Sequence, residues 1–479
     1  MTAYFCFFTL TVHMEFPQYV MHIARELHRK GFEAWVVGGS VRDSLIGRPA
    51  YDHDIATDAT PEEVMGIFRR TVPTGVRHGT VTVLSGDESV EVTTFRSDGV
   101  YSDARHPDTV RFAKTIREDL SRRDFTINGI AFNPITGDLC DPFGGRGDIE
   151  RRVIRTIGEP LDRFREDGLR PFRACRLASQ LGFTIEKHTF ETISVCTEQA
   201  AQVSVERIRD EFIRIIQSPK PSVGIELLRS SGLLEVFLPE LLTGFGIRQN
   251  VYHRFDVYYH NLYSCDAADP SDYRVRLAAL FHDMGKFHAK KEIEGHRDGT
   301  KSVFYNHEII GAGITKRVMR RLKFSNQDVK FVTHLIRNHM FHYTHLWTDG
   351  AVRRFMRKVG LENLDALFEL RRADRIGNGL KQGHSRAVQN LRTRIDKILE
   401  QENAITVKDL VINGHDVMEQ FDLKPGPIIG ETLQHLLEII LDDPEKNDRE
   451  TLIGLAKEFL DLRQSEEPLR RRVSVHEKK

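Results

Sequence analysis

Asp52 and Asp54 stand two residues apart in the run Asp52-His53-Asp54-Ile55-Ala56. On a strand that spacing sends both carboxylates from one face and His53 from the other. Like charges so close are unfavourable unless a cation bridges them, although such a pair also occurs as solvated turn residues. Hard oxygen donors on a rigid strand suit Mg²⁺, which takes one or two protein carboxylates plus substrate phosphates. Glu91, inside the β-branched run Val90-Glu91-Val92-Thr93-Thr94, offers a third acid, although a strand-edge glutamate reads the same way. Upstream, Gly38-Gly39 closes a strand where a helix begins. Glycines let backbone amides approach a phosphate, and a helix N-terminus favours negative charge. A plain tight turn fits that pair equally. Arg42-Asp43 follows within one turn, as a phosphate clamp or a surface ion pair.

The elements that must position these side chains follow from the hydrophobic pattern. Residues 34–37 read as a buried strand, ended by Gly38-Gly39 and followed by a helix through Leu45. A second strand carries Asp54-Ile55-Ala56, and Pro61 opens a helix at its first-turn position. Residues 81–84 and 90–95 flank Ser85-Gly86-Asp87-Glu88 as a hairpin. Beyond Glu150 strand signals nearly vanish. Residues 164–181, 205–216 and 223–228 carry helical spacing, broken by Gly182, Pro219-Lys220-Pro221 and Gly232. Residues 252–401 read as helical and histidine-rich. The remainder holds two or three amphipathic helices, with Pro425-Gly426-Pro427 in a loop between them and a frayed basic end from Arg470. The expected fold class is α+β: a mixed head at 14–150, a helical neck at 151–250, a body at 251–400 and a tail at 401–479.

Composition bounds the rest. The 479 residues amount to roughly three domains of about 150 each. Lys+Arg and Asp+Glu both total 69, so a chain-wide polybasic binder is excluded while a local basic groove is not. The cysteines Cys6, Cys140, Cys175, Cys196 and Cys265 lie far apart, which argues against a disulfide scaffold or a cysteine zinc site and for a reducing cytoplasm. No apolar run reaches the ~18 residues of a membrane span. Residues 3–12 are apolar but lack a basic flank and a cleavage site, so 1–13 read as a dispensable extension, with Met14 the start.

The run GGSVRDSLIGRPAYDHDIATDATP (38–61) resembles the signature of the tRNA nucleotidyltransferase and bacterial poly(A) polymerase family, the class II branch of the polymerase-β-like nucleotidyltransferases. VEVTTFR (90–96), YSDARHP (101–107), DLSRRDFTINGIAFN (119–133), DPFGGRGDI (141–149), REDGLRPFRACRLASQLGF (165–183) and SVERIRDEF (204–212) resemble its further motifs in order. The resemblance implies a polymerase-β-like head in which Asp52 and Asp54, with Glu91 as third acid, hold two Mg²⁺ ions. Gly38, Gly39, Arg42, Arg122 and Arg123 would then bind the nucleotide's phosphates in an in-line displacement that expels pyrophosphate. Asp124 and Asn128, one helical turn apart, would position the ribose or Arg123. Asp167 and Arg170 would share a helix face three residues apart and read the base, and Arg173 is grouped with them. A carboxylate accepts the exocyclic amine of C or A, and a guanidinium donates to ring acceptors. Gly168 and Pro171 depart from the family's helix formers and leave that helix's shape open. The implied substrates are ATP, CTP and the 3′ acceptor end of tRNA, and the implied product is a CCA terminus. Poly(A) addition, or CC-only or A-only addition, remains an alternative, with YSDARHP favouring terminal A.

Ten of the 21 histidines fall between His253 and His345. His282-Asp283 ends an apolar helix at 275–281, and Gly285-Lys286 follows. With His260 upstream and Asp374 in Arg371-Arg372-Ala373-Asp374, the order resembles the HD metal-dependent phosphohydrolase superfamily. That resemblance implies a second metal site, and mixed imidazole and carboxylate donors suit Mn²⁺, Ni²⁺ or Co²⁺. His307 and His339 stand where two-metal members have further ligands, while His253, His342 and His345 read as surface or substrate contacts. The alternative main activity is then hydrolysis of 2′,3′-cyclic phosphates or phosphomonoesters. Residues 409–447 resemble the terminal region of family members that carry an HD domain, implying RNA support. His415-Asp416 there reads as structural, in a loop after Gly414.

Overall fold

The structure, a computed structural model, describes residues 14–476 apart from 51, 99–109, 250–252, 296–298, 384 and 401–405. The apolar run 3–12 and the YSDARHP loop therefore lie outside the described residues. The chain divides into two compact units.

The first unit runs to Thr243 and adds residues 270–273 and 317–326. Its sheet is built from β1 (Ala34–Val37), β2 (Asp54–Thr57), β3 (Thr71–Gly75), β4 (Thr80–Ser85) and β5 (Glu88–Thr94). After the short pair β6 (Arg96–Asp98) and β7 (Val110–Phe112) come β8 (Ala131–Phe132) and β9 (Leu139–Cys140). The order is β3-β4-β5-β2-β1-β8-β9. β4 and β5 form the expected hairpin around Gly86-Asp87. β2 and β5 run parallel, which sets Asp54 directly beside Glu91. The central strands bury Ala56 and the β-branched Val36, Val37, Ile55 and Val92, which suit a sheet covered on both faces. Gly38 ends β1 at φ +75°, a conformation glycine adopts without a Cβ penalty. A Cβ there would also sit 3.2 Å from Arg123 Nη1.

Helices follow the sheet, with a correction at 164–181. Two helices, Pro160–Glu166 and Arg170–Leu181, stand where one was expected. Val205–Ile216 and Pro221–Ser230 match their spacing. Val153–Ile154 pairs in parallel with Thr184–Ile185, a strand contact too short for any periodicity to reveal.

In the second unit, the helices Val257–Ala267 and Leu364–Gly377 pack along each other. A β-hairpin, Lys290–Gly295 with Gly299–Phe304, overturns the all-helical reading of 252–401. Its first strand is mostly charged, Lys-Lys-Glu-Ile-Glu, so the sequence offered no apolar alternation to mark it. The tail helices Gly414–Gln420, Pro427–Asp442 and Arg449–His476 close around Leu436, Leu437, Ile440, Leu441, Leu452 and Ala456. Two tail readings need correcting. His415 lies in a helical first turn, because the Asn413 side chain accepts from the His415 and Asp416 amides and caps it. The last helix continues past Arg470 to His476.

Candidate active site and metal centre

The first unit holds a cavity of about 610 Å³, lined by Gly38, Gly39, Arg42, Asp52, Asp54, Arg122, Arg123, Asp124 and Asn128 and by Asp167, Arg170 and Arg173. Asp54 is the first residue of β2, whereas Asp52 precedes the strand and is exposed. The expectation of two acids on one strand therefore needs correcting, although their electrostatic coupling holds. Burial, then Asp52, with Arg123 opposing and Glu91 adding, pushes the Asp54 carboxyl up to about 6. His53 turns the other way, buried against Phe16 and Tyr19 at 6.0 and 6.1 Å between rings. Glu91 lies in register beside Asp54 but is exposed and outside the cavity lining.

The arginines are already oriented. Buried Asp119 accepts from Arg122 at 2.8 Å and Arg123 at 3.1 Å. Sequence reading missed Asp119, although its i,i+3 and i,i+4 spacing to the two arginines was visible. A second chain of contacts runs from Arg42 Nη1 to Asn128 Oδ1 (2.7 Å), from Asn128 Nδ2 to Asp124 Oδ1 (3.0 Å), and from Arg173 to Asp124 Oδ2 (2.7 Å). Asp124 and Asn128 are thus joined, but not by a helical turn: Asn128 ends the 3₁₀ turn Thr126–Asn128 and Asp124 precedes it. Asp124 serves Arg173 rather than Arg123. Burial would raise its carboxyl, but the Arg173 guanidinium and the Asn128 amide hold it well below the usual range.

Asp167 and Arg170 both reach the cavity, yet they do not share a helix face. Asp167 is extended, at φ −143° and ψ 107°, in the break between two helices. Gly168 makes the break: a Cβ there would lie 2.5 Å from the Gln199 carbonyl oxygen. Pro171 sits in the next helix's first turn, where its missing N–H costs nothing. Tertiary partners hold the two side chains instead. Arg207 donates to Asp167 at 2.8 Å, and Arg170 donates to Glu166 at 2.6 Å and to the Arg122 carbonyl at 2.9 Å. Arg207, Arg176 and Arg214 also line the cavity and were missed. Two of them have remote acidic partners, Arg207 on Asp167 and Arg176 on Glu211 at 2.6 Å, which local spacing does not mark.

In the second unit a cavity of about 560 Å³ opens onto His282, Asp283, His307, His339 and Asp374. His260, fully buried, places Nε2 3.1 Å from His282 Nε2, 3.4 Å from Asp283 Oδ2 and 3.2 Å from Asp374 Oδ1. His307 Nε2 lies 3.3 Å from Asp283 Oδ1 without making a hydrogen bond. Two groups result, His260–His282–Asp283 and Asp283–His307–His339, each with its donor atoms within 4.8 Å of one another, and Asp283 belongs to both. The Nδ1 atoms of His282, His307 and His339 face the carbonyls of Ala279, Phe304 and Ile336, at 2.8, 2.8 and 2.7 Å. Donation there fixes the rings and leaves each Nε2 turned to the centre, as in metal-ligating histidines. All six sequence-selected residues are therefore brought together. Burial would lower the His282 pKa, but Asp283 and Asp374 push it up to about 10. Paired buried carboxylates thus draw a positive charge into the centre, a role a divalent cation fills. The donor set fits one: buried, mixed N/O, with His307 Nε2 unpartnered. His253 stands edge-on to His260 at 5.2 Å and lines the same cavity.

Residues 34–155 match the Poly A polymerase head domain, 182–244 the "Probable RNA and SrmB-binding site of polymerase A", and 309–456 the tRNA nucleotidyltransferase domain 2. A CCA-adding enzyme from Anoxybacillus flavithermus is 34% identical over 439 residues, covering 90% of this chain and 94% of its own length. One from Streptococcus gordonii is 34% identical over 452 residues, covering 94% and 98%. The crystal structure of the Bacillus stearothermophilus CCA-adding enzyme in complex with CTP aligns with a TM-score of 0.72 at 30% identity, covering 94% of this chain and 100% of that one. The Thermotoga maritima CCA-adding enzyme complexed with tRNA_CCA, at 20% identity and a TM-score of 0.53, shares the fold. Among the described residues no helix is long and apolar enough to cross a membrane. Identity sustained along nearly the whole of both chains places this one among the CCA-adding enzymes, a family of nucleotidyltransferases.

Proposed function

We propose that this chain transfers CMP and AMP from CTP and ATP to the 3′ end of tRNA in the cytoplasm, building or repairing CCA. The head, neck, metal-binding body and tail are assigned to 14–150, 151–250, 251–400 and 401–479. One observation carries the reading: a single cavity holds the Asp52–Asp54 pair, oriented arginines and the Asp167–Arg170 pair. Nucleotidyltransferases of this family use divalent metals. Mg²⁺ on the all-oxygen set of Asp52 and Asp54 would supply charge neutralisation and hydroxyl activation. Arg42, Arg122 and Arg123 bind the triphosphate, and Asp119 keeps the last two aimed. Asp167 and Arg170 offer an acceptor and a donor to the edge of C or A. The 3′-oxygen forms a bond to the α-phosphorus, and the bond to the β-phosphate oxygen breaks, releasing pyrophosphate. Purified protein given tRNA that ends at the discriminator base, with each NTP singly and mixed, tests this. Addition that stops after three nucleotides supports it. Long A tails or no incorporation overturn it.

The second centre supports an additional activity, phosphoester hydrolysis, on the strength of Asp283 standing in two imidazole groups at once. Mn²⁺, Co²⁺ or Ni²⁺ on His260, His282, Asp283 and Asp374, with His307 and His339, would supply a Lewis acid and an activated water. Lys286, 2.5 Å from Asp283, brings a phosphate-binding cation to the same cavity. Hydrolysis of 2′,3′-cyclic AMP or p-nitrophenyl phosphate on adding one of these metals is expected. Inertness with all three overturns the reading.

A further inference from the structure

The cavity over the His/Asp cluster has a neighbour. A hollow of about 360 Å³ adjoins it, and Met340, Phe341 and His342 line both. The wall of this hollow is aromatic. Phe341 meets Phe355 at 5.0 Å between ring centroids, and Trp347 meets Phe355 at 5.7 Å. In the other direction Phe341 continues to Phe368 at 6.1 Å, which lines the cluster's own cavity. The aromatic string therefore runs from one space to the other.

The polar lining is equally specific. Arg337 and Lys358 are exposed, and neither has an ion-pair partner among the described residues. Neighbouring Arg354 is instead committed to Glu438 and Asp442. Glu308 is the one carboxylate in the described lining. Flat aromatic faces take a base by stacking, unpaired cations take phosphate, and a carboxylate accepts an exocyclic amine. The volume is at the lower end for a small-ligand pocket, room for one nucleotide rather than a folded RNA.

We infer that this hollow is a nucleotide subsite serving the metal cluster, so that the phosphoester cleaved there belongs to an oligonucleotide. A base beside the scissile phosphate stacks on Trp347 and Phe341, and its own phosphate meets Arg337 and Lys358. The inference rests on the hydrolase reading of the cluster and adds the substrate's length. In the step itself water forms a bond to phosphorus, one P–O ester bond breaks, and the departing ribose oxygen takes a proton. Glu308 accepts and does not donate, so adenine, cytosine and guanine are favoured over uracil.

Trp347 reports on its own site. The chain has two tryptophans, and Trp35→Phe leaves Trp347 alone. In EDTA, where binding is seen without turnover, penta-adenylate should quench this fluorescence at a concentration at least about tenfold below that of AMP, with penta-uridylate weaker. Arg337→Glu with Lys358→Glu should weaken the pentamer by about tenfold or more, while Arg337→Lys with Lys358→Arg should not. Circular dichroism checks that both double variants fold. Metal-loaded protein should then cleave the pentamer with a higher kcat/KM than 2′,3′-cyclic AMP. Equal quenching by AMP and pentamer, or indifference to charge reversal, overturns the subsite even if cyclic AMP is hydrolysed. Pentamer quenching without hydrolysis under any metal overturns the hydrolase reading and the link to the cluster, leaving a nucleotide site alone.

Discussion

In the head, Asp54 opens its strand, Asp52 precedes it, and both line a cavity with arginines that Asp119 and Asp124 already orient. In the second unit, Asp283 and the partly exposed Asp374 meet four imidazoles, and His260, His282 and Asp283 are at most 2% exposed. The difference teaches how each centre would gain its cation. An open all-oxygen pair leaves room for Mg²⁺ that arrives with the triphosphate and keeps its waters. A buried set of N and O donors with rings fixed by backbone carbonyls suits a resident metal. The two sets share no residue, so they should respond independently to mutation.

The largest break falls in the head. Asp54→Ala should lower nucleotide incorporation by about 10³-fold or more, the several kcal/mol that metal-held charge supplies, while tRNA binding and cluster hydrolysis persist. A single-turnover assay with labelled tRNA reads it, and residual activity above a few per cent of wild type counts against the pair. Next is the mirror experiment. His282→Ala should strip the bound transition metal, measured by elemental analysis, and abolish hydrolysis, while CCA addition stays within about twofold. Loss of both activities would show that the centres are coupled.

A third prediction sharpens the contrast by pH. Because Asp54 is raised to about 6, protons compete with the cation below that value. The Mg²⁺ needed for half-maximal incorporation should rise about tenfold per pH unit beneath it and flatten above. A constant Mg²⁺ requirement from pH 7.5 to 5 would show that Asp54 is not the ligand.

Asp124→Asn should have a smaller effect. It frees Arg173 and costs stability at or below the ~3 kcal/mol lower end for a broken buried pair, since Arg173 keeps 32% of its surface exposed. The Asp124 carboxyl is depressed in the fold, so its contribution is present above the ordinary value of 3.8 and lost as pH falls further. Urea melts at pH 7 and pH 3 should therefore show a difference from wild type that shrinks in acid. Smallest is Gly168→Ala. The added methyl meets the Gln199 carbonyl and should cost about 1–3 kcal/mol, visible as a lowered melting temperature. Neutrality there would mean that the helix break needs no glycine.

Sequence by itself determined the parts whose chemistry is local. The strand ended by Gly38-Gly39, the 85–88 hairpin and the helix ending at His282-Asp283 follow from hydrophobic period and turn residues read over a few positions. The ordered set His260, His282, Asp283 and Asp374 was likewise legible as residue types and the structure brings it together, whereas Glu91, read as a third acid, lies exposed outside the cavity lining. Only the tertiary structure decided how these parts meet. Spacing gave Asp167 and Arg170 one helix face, but the approach of the Gln199 backbone forced a break there, and Arg207, Glu166 and the Arg122 carbonyl took over their placement. Asp124, expected to position the ribose or Arg123, instead holds Arg173, 49 residues away. Asp283 became the member common to two histidine groups because His260 and His307, on separate helices, and His339, just past the end of a third, converge on it from far along the chain. A side chain's period along its own element is set by backbone geometry, whereas its partner is set by which remote atoms pack against it, and that is written in no local stretch of the chain.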